Sequence, residues 1–214
     1  MINEIVDKVY VINTKSAVLR MSEVKIELER NNILFERVEA IPLDKVVLPS
    51  EENKGLNWDK WGWNECAVSL LETTCKIIED AKSKNYKRIL IFEDDAYIND
   101  ENLNLVLPGI KQLIENEKEW HFIHLNYSNT NSFKFTNYQY INRLNKGCLC
   151  CQAYFINHQI YDIYLDKLKE KKKPIDETTR ELHTFYKKSF VPSIIPVDHI
   201  KNKYSTIRGK EVPY

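Results

Sequence analysis

One stretch limits what this chain can fold into: Arg88-Ile89-Leu90-Ile91-Phe92-Glu93-Asp94-Asp95, a short apolar run that ends in three consecutive carboxylates. So short an apolar run is too brief for a helix and suits a strand buried on both faces, as in a parallel sheet covered by helices. The acids then fall where the strand leaves the core, at the carboxyl edge where open α/β sheets bind ligands. Adjacent negative charges repel unless a cation or a set of donors holds them, and hard oxygen ligands suit Mg2+ or Mn2+. With an extended backbone, Glu93 and Asp95 point to one side and Asp94 to the other, which offers two carboxylates to one ion. The plainer alternative is that the acids only start the turn Ala96-Tyr97-Ile98-Asn99-Asp100 and favour the N-terminus of the helix after it.

The chain before this stretch supplies further strands and a helix. Lys8-Val9-Tyr10-Val11-Ile12-Asn13 has the β-branched and aromatic content of a strand closed by a polar residue. Ser16 can cap a helix over 17–30, where Val18, Met21, Val24 and Leu28, widened by Leu19 and Ile26, approximate helical spacing. Residues 33–39 read as another strand, and the order strand, helix, strand predicts a βαβ unit. Residues 42–63 hold Pro42, Pro49, Gly55 and Gly62 with no sustained period and read as a loop over the sheet edge. Three of the four tryptophans, Trp58, Trp61 and Trp63, close that loop. Their rings suit the C–H face of a sugar acceptor, and the competing role is to pin the loop to the body.

Ala67, Leu70, Leu71, Thr74, Ile77, Ile78 and Ala81 predict a helix from 64 or 65 to about 84. Asn99 or Asp100 caps another that reaches 117, which Pro108 is expected to kink or divide. In the short strand at 120–125, His121 and His124 are three apart, face opposite ways, and read as structural. Residues 126–147, rich in Asn, Ser, Thr and Tyr, form a candidate substrate loop or hairpin. A strand at 151–156, helices at 159–169 and 174–188, a proline-broken apolar segment at 190–197 and a polar tail complete the chain.

Bulk properties exclude several classes. The 214 residues fit one domain, and 31 basic against 31 acidic residues leave no electrostatic footprint for nucleic acid or an anionic membrane. No apolar run approaches the length of a transmembrane helix, and the opening MINEIVDK lacks the basic and apolar regions of a signal peptide, so the expected location is cytoplasmic. The five cysteines, three of them in Cys148-Leu149-Cys150-Cys151, are not spread like a disulfide framework. They read as small buried thiols of a strand, since no second Cys or His pair stands at zinc-site spacing.

Taken together, the order of pieces resembles a known family. Val11-Ile12-Asn13, Phe35-Glu36-Arg37-Val38-Glu39-Ala40-Ile41, Cys66-Ala67-Val68-Ser69, the Glu93-Asp94-Asp95 strand, Ala153-Tyr154-Phe155-Ile156 and Pro174-Ile175-Asp176 are similar, in this order and spacing, to the family 25 glycosyltransferases. That family includes lipopolysaccharide-biosynthesis and collagen galactosyltransferases. The resemblance implies a GT-A fold: a single α/β nucleotide-sugar-binding domain with a mostly parallel central sheet flanked by helices. It also implies a UDP-sugar donor, Mn2+ or Mg2+, and inverting transfer of a hexose, galactose or glucose, to an acceptor hydroxyl on a glycan, lipopolysaccharide or protein. By that resemblance Asp95, with Glu93 or Asp94 assisting, and His199 hold the metal, while Asn13, Arg20, Asp94 and the backbone of Val11 bind the nucleotide sugar. Asp176 is the expected catalytic base and Glu177 its fallback; Trp58, Trp61 and Trp63 are the expected acceptor contacts.

The chain departs from the family pattern at two places. The basic run that follows the first strand is replaced by Asn13-Thr14-Lys15-Ser16, which leaves Lys15 and Arg20 as the cations. The histidine of the Cys-Ala-Leu-Ser-His pattern is Leu70. Two other readings therefore stand beside the transferase: a catalytically impaired glycan- or nucleotide-binding or scaffold protein, and a metal-dependent phosphohydrolase or nucleotidyltransferase. Three retained carboxylates argue against the first, because a structural turn does not need three like charges together.

Overall fold

The apolar run at the front of the chain forms β1 (Lys8–Asn13), whose last five residues are buried. The computed structural model describes residues 1–50, 64–128, 130 and 132–199, together with the short strands Tyr204–Ser205 and Lys210–Glu211. After β1 come α1 (Val18–Arg30), β2 (Glu36–Glu39), α2 (Glu65–Ser83), β3 (Arg88–Glu93), β4 (Ala96–Ile98) and α3 (Asp100–Asn116). The second half holds β5 (Phe122–His124), β6 (Phe133–Phe135), β7 (Ile141–Leu144), β8 (Ala153–Asn157), α4 (Tyr161–Lys169), α5 (Ile175–Tyr186), β9 (Ser189–Pro192) and β10 (Val197–His199).

Eight of these strands form one sheet in the order β2-β1-β3-β8-β5-β9-β7-β6. Pairing is parallel through β2-β1-β3 and at β5-β9, and antiparallel at β3-β8, β8-β5, β9-β7 and β7-β6. The register sets Ile12 beside both Val38 and Glu93, so β1, β2 and β3 end together at one edge. One apolar cluster, with Val11, Phe92, Val106, Ile110 and Phe190, fills one face of the sheet. A second, with Tyr10, Ile91, Leu71, Ile78, Tyr164 and Leu182, fills the other. Buried strands sandwiched in this way need the continuous apolar runs seen at 89–92 and 153–156.

Most elements form where the sequence places them, and the differences have physical reasons. Asn64 caps α2, its Oδ1 accepting from the Ala67 N–H at 3.1 Å, and Asn99 caps α3 in the same way through Asn102 at 3.0 Å. Pro108 does not divide α3: burial of Leu103, Val106, Ile110 and Leu113 outweighs the one backbone bond that proline removes. In α1 the broad stripe is not used; Val24 and Leu28 are buried, whereas Val18, Leu19 and Ile26 are exposed. Nor does Ser16 cap it, since Ala17 takes that position without a side-chain bond. The cysteine-rich segment is not strand but the irregular lead into β8, with Cys150 in the left-handed region at φ 83°. All five cysteines are free thiols. The expected polar tail instead begins with β10, which pairs antiparallel with β4 and sets His199 opposite Ala96. No helix among the described residues is long and apolar enough to cross a membrane.

Candidate active site

The common edge of β1, β2 and β3 opens onto a cavity of about 470 Å3. One wall is polar: Asn13, Lys15, Arg20 and the three acids Glu93, Asp94 and Asp95. The other is mostly apolar, built from Ala40, Ile41, Pro42, Leu43 and Leu70. Helix α2 holds that apolar wall in place, because Ser69 Oγ donates to the Ile41 carbonyl at 2.6 Å and the Ile41 N–H donates to Thr73 Oγ1 at 2.9 Å. Leu70 thus puts an aliphatic side chain on the cavity wall where the family pattern has an imidazole.

The three consecutive acids part company at the end of β3. Asp94, 5% exposed, accepts from Asn13 Nδ2 at 2.6 Å and pairs with Arg20 at 3.2 Å. Asn13, itself 1% exposed, is fixed by donating to the Ala17 carbonyl and by accepting from Arg37 Nε at 2.9 Å. Burial raises the Asp94 carboxyl to about 6, against the opposing pull of Arg20 and Asn13. Glu93 and Asp95 face a second group. His199 Nδ1 stands 3.5 Å from Asp95 Oδ2, and the Gln152 amide lies 2.7 Å from His199 Nε2. Burial alone would favour the neutral ring, yet Asp95, and then the Cys150 sulfur, raise His199 to about 10. Glu93 is held well above the usual carboxylate range, first by burial and then by the charges of Asp95, Asp176 and Asp94. Asp176, at the start of α5, also lies near Cys151, whose thiol is pushed well above the usual range by burial and then by Asp176.

This second group is chemically suited to a hard divalent cation. Asp95 Oδ1 is buried without a hydrogen-bond partner, and an ion beside Glu93, Asp95 and His199 would relieve the repulsion that raises Glu93. A softer donor set lies deeper: ligand atoms of His124, Cys148 and His183 fall within 4.8 Å of one another, all of them buried. One sulfur and two imidazoles suit zinc rather than Mn2+. Protons alone also satisfy this trio. His124 Nδ1 donates to the Cys150 carbonyl at 3.0 Å, leaving its Nε2 to accept from His183 Nε2 at 3.0 Å, and the Cys148 thiol reaches His183 Nδ1 at 3.8 Å. The chain of bonds holds the carbonyl of strained Cys150, next to His199, from inside the core.

The profile of glycosyltransferase family 25 (LPS biosynthesis protein) matches residues 6–179. The chain belongs to glycosyltransferase family 25. A solved glycosyltransferase involved in the glycosylation of the major capsid of PBCV-1 shares its fold, with a TM-score of 0.51 at 14% identity over 92% of this chain and 93% of that one. A197 from STIV aligns at a TM-score of 0.46 and 14% identity, covering 90% and 84% of the two chains. A UDP-glucose pyrophosphorylase complexed with UDP-glucose aligns at 0.44 and 12%, covering 86% and 72%. No curated protein matches. The architecture of this family 25 chain is the α/β, GT-A-like arrangement expected from the resemblance.

The structure brings Asn13, Arg20, Glu93, Asp94 and Asp95 to the cavity lining, sets His199 beside Asp95, and leaves Asp176 close enough to Glu93 for its charge to act there. Val11 is not at the cavity; it is wholly buried mid-strand, in register with Arg37 and Phe92. Glu177 turns away from Asp176 to line a separate groove, one carboxylate oxygen held by Arg180. Trp58, Trp61 and Trp63 lie outside the described residues. Sequence reasoning missed Arg37, which fixes Asn13 from a neighbouring strand, and Gln152, which reaches His199 from β8's approach. Arg37 lies in the 35–41 segment that carries the family resemblance, and Gln152 in no motif; only the pairing of strands shows what either one touches. The family match ends before His199, so geometry alone places that histidine beside Asp95.

Proposed function

We propose that this protein is a metal-dependent inverting glycosyltransferase that moves a hexose, galactose or glucose, from a UDP-sugar to an acceptor hydroxyl. The observation that carries this reading is the division of Glu93-Asp94-Asp95 between two environments. Asp94, fixed by Asn13 and Arg20, lies in the wall of the cavity and suits ribose hydroxyls, while the apolar wall of Ala40, Ile41, Pro42 and Leu70 suits the flat face of a base. Arg20 and Lys15 supply positive charge for a diphosphate. Glu93, Asp95 and His199 are the residues that would hold Mn2+ or Mg2+; when bound, the ion supplies Lewis-acid stabilisation of the nucleotide leaving group.

In the transfer itself the acceptor oxygen forms a bond to the sugar anomeric carbon as the bond from that carbon to the UDP oxygen breaks. The acceptor's proton passes to a carboxylate on the far face, as in inverting glycoside hydrolysis. Asp176 is the base we assign, because it lies close enough to Glu93, at the end of β3, for its charge to act there; Glu177 lines a separate groove.

Thermal unfolding with UDP and Mn2+, for the wild type and Asp95→Ala, tests the reading. A ligand at about 100-fold above its Kd stabilises by about 2.7 kcal/mol, or roughly 5–10 °C for a chain of this size. The expected result is a Mn2+-dependent shift that chelator and Asp95→Ala both remove. A cooperative transition that UDP and Mn2+ leave unmoved would refute the donor site.

A further inference from the structure

A groove of about 1090 Å3 lies between Thr130, Ser132, Lys146 and Gly147 on one side and α5 on the other. Two polar atoms bordering it are shielded from solvent yet have no hydrogen-bond partner, Thr130 Oγ1 and Glu177 Oε1. Glu177 is 7% exposed, and Arg180 holds only its other oxygen. Buried polar atoms left unsatisfied are costly and rare enough in folded proteins to need an explanation. A ligand hydroxyl can donate to the carboxylate and exchange a hydrogen bond with the threonine.

Two further features narrow the ligand class. Phe185 is 77% exposed at the rim, and an exposed aromatic face beside hydroxyl-seeking polar atoms suits the C–H face of a sugar ring. The charge balance adds a second constraint. Arg180 is paired with Glu177 and Lys173 with Glu181, whereas Lys146 and Lys187, both exposed, have no carboxylate partner among the described residues. The groove therefore carries uncompensated positive charge in a protein whose formal net charge is zero. It adjoins the proposed reaction centre through α5, where Asp176 serves the donor corner and Glu177 the groove.

We propose that this groove is the acceptor subsite and that it takes an anionic glycan. A sugar ring lies against Phe185, a hydroxyl donates to Glu177, and a carboxylate or phosphate on the glycan sits between Lys146 and Lys187. The assignment as acceptor subsite rests on the glycosyltransferase reading above; the sugar-binding groove itself does not.

The test is equilibrium binding to the full chain, with UDP and Mn2+ present, of three probes: digalacturonate, a disaccharide phosphate, and neutral lactose. The proteins are the wild type, the double variant Lys146→Glu/Lys187→Glu, and Phe185→Ala. All three changes are at exposed positions, and each variant's UDP and Mn2+ thermal shift is measured alongside. The expected result is at least one anionic probe bound about tenfold more tightly than lactose, a preference the double variant abolishes. Phe185→Ala should weaken every sugar, and the UDP shift should persist in both variants. Which anionic probe binds distinguishes carboxylate from phosphate. Equal binding of neutral and anionic probes, binding unchanged in the variants, or no sugar binding at all overturns the groove. A wild type that binds sugar in a groove-dependent way but shows no UDP shift leaves the groove standing as a sugar site and overturns its acceptor role with the donor reading.

Discussion

Replacing His124 with asparagine tests whether the buried relay that holds the Cys150 carbonyl is neutral. In the folded protein His124 is neutral, donating from Nδ1 to the Cys150 carbonyl and accepting at Nε2 from His183, each at 3.0 Å. Burial lowers the His124 ring to about 4, whereas an unfolded histidine titrates near 6.5. Because the folded value is the lower one, the unfolded chain binds more protons between them. The stabilisation is therefore complete above about 6.5 and is lost as pH falls toward 4. Integrated from pH 7 to pH 5, this one residue costs about 2 kcal/mol. Asp94 works the other way: its carboxyl, raised to about 6, returns about 1 kcal/mol over the same range. The wild-type curve would mix these with the buried His121 and His183, both also lowered, so the informative quantity is the difference between wild type and variant. Asparagine keeps a donor for the Cys150 carbonyl but removes both the titrating ring and the acceptor for His183. At pH 7 the variant should be less stable by about 2–3 kcal/mol in urea unfolding, from an unpaired buried N–H and lost packing. At pH 5 that gap should shrink by about 2 kcal/mol. A gap that stays constant to within about 0.5 kcal/mol between the two pH values would refute the neutral relay.

Glu93→Gln should raise the melting temperature of the metal-free protein, by roughly 2–4 °C for each kcal/mol of unfavourable electrostatics removed, because burial and the charges of Asp95, Asp176 and Asp94 make the folded chain bear the cost of either ionising Glu93 or protonating it, and a glutamine bears neither. The same variant should lose the Mn2+-dependent part of the UDP shift; a lower melting point without metal would contradict the repulsion argument. Gly109→Ala should destabilise by about 1–3 kcal/mol or more in the same urea assay, since the new methyl would meet the Gln139 carbonyl oxygen at 2.0 Å within a continuous helix. Stability equal to the wild type would mean that the 139 turn moves aside freely.

Much of the fold was legible because it is written in local period and capping. The stripe from Ala67 to Ala81 marked α2, and the two helix starts were marked to within one residue, at 64 or 65 and at 99 or 100, the structure taking Asn64 and Asn99 as the caps. The apolar run at 89–92 marked a strand buried on both faces, and its acids marked the site. What local pattern overstated was α1, where Val18, Leu19 and Ile26 match a helical stripe but face solvent. Periodicity reports which side chains could be buried together, while the number of neighbours available decides which are.

The chain's own order determined the strand-end carboxylates, the βαβ start and the family, because these depend on contiguous residues. Partners that meet across the sheet were decided by the tertiary structure alone. Arg37 reaches Asn13 through β2-β1 pairing, His199 reaches Asp95 through β10-β4 pairing, and His183 meets His124 from a helix 59 residues away in sequence. Spacing along the chain carries no trace of these meetings, since strand pairing and helix packing, not sequence separation, set the distances at which charges and hydrogen bonds act.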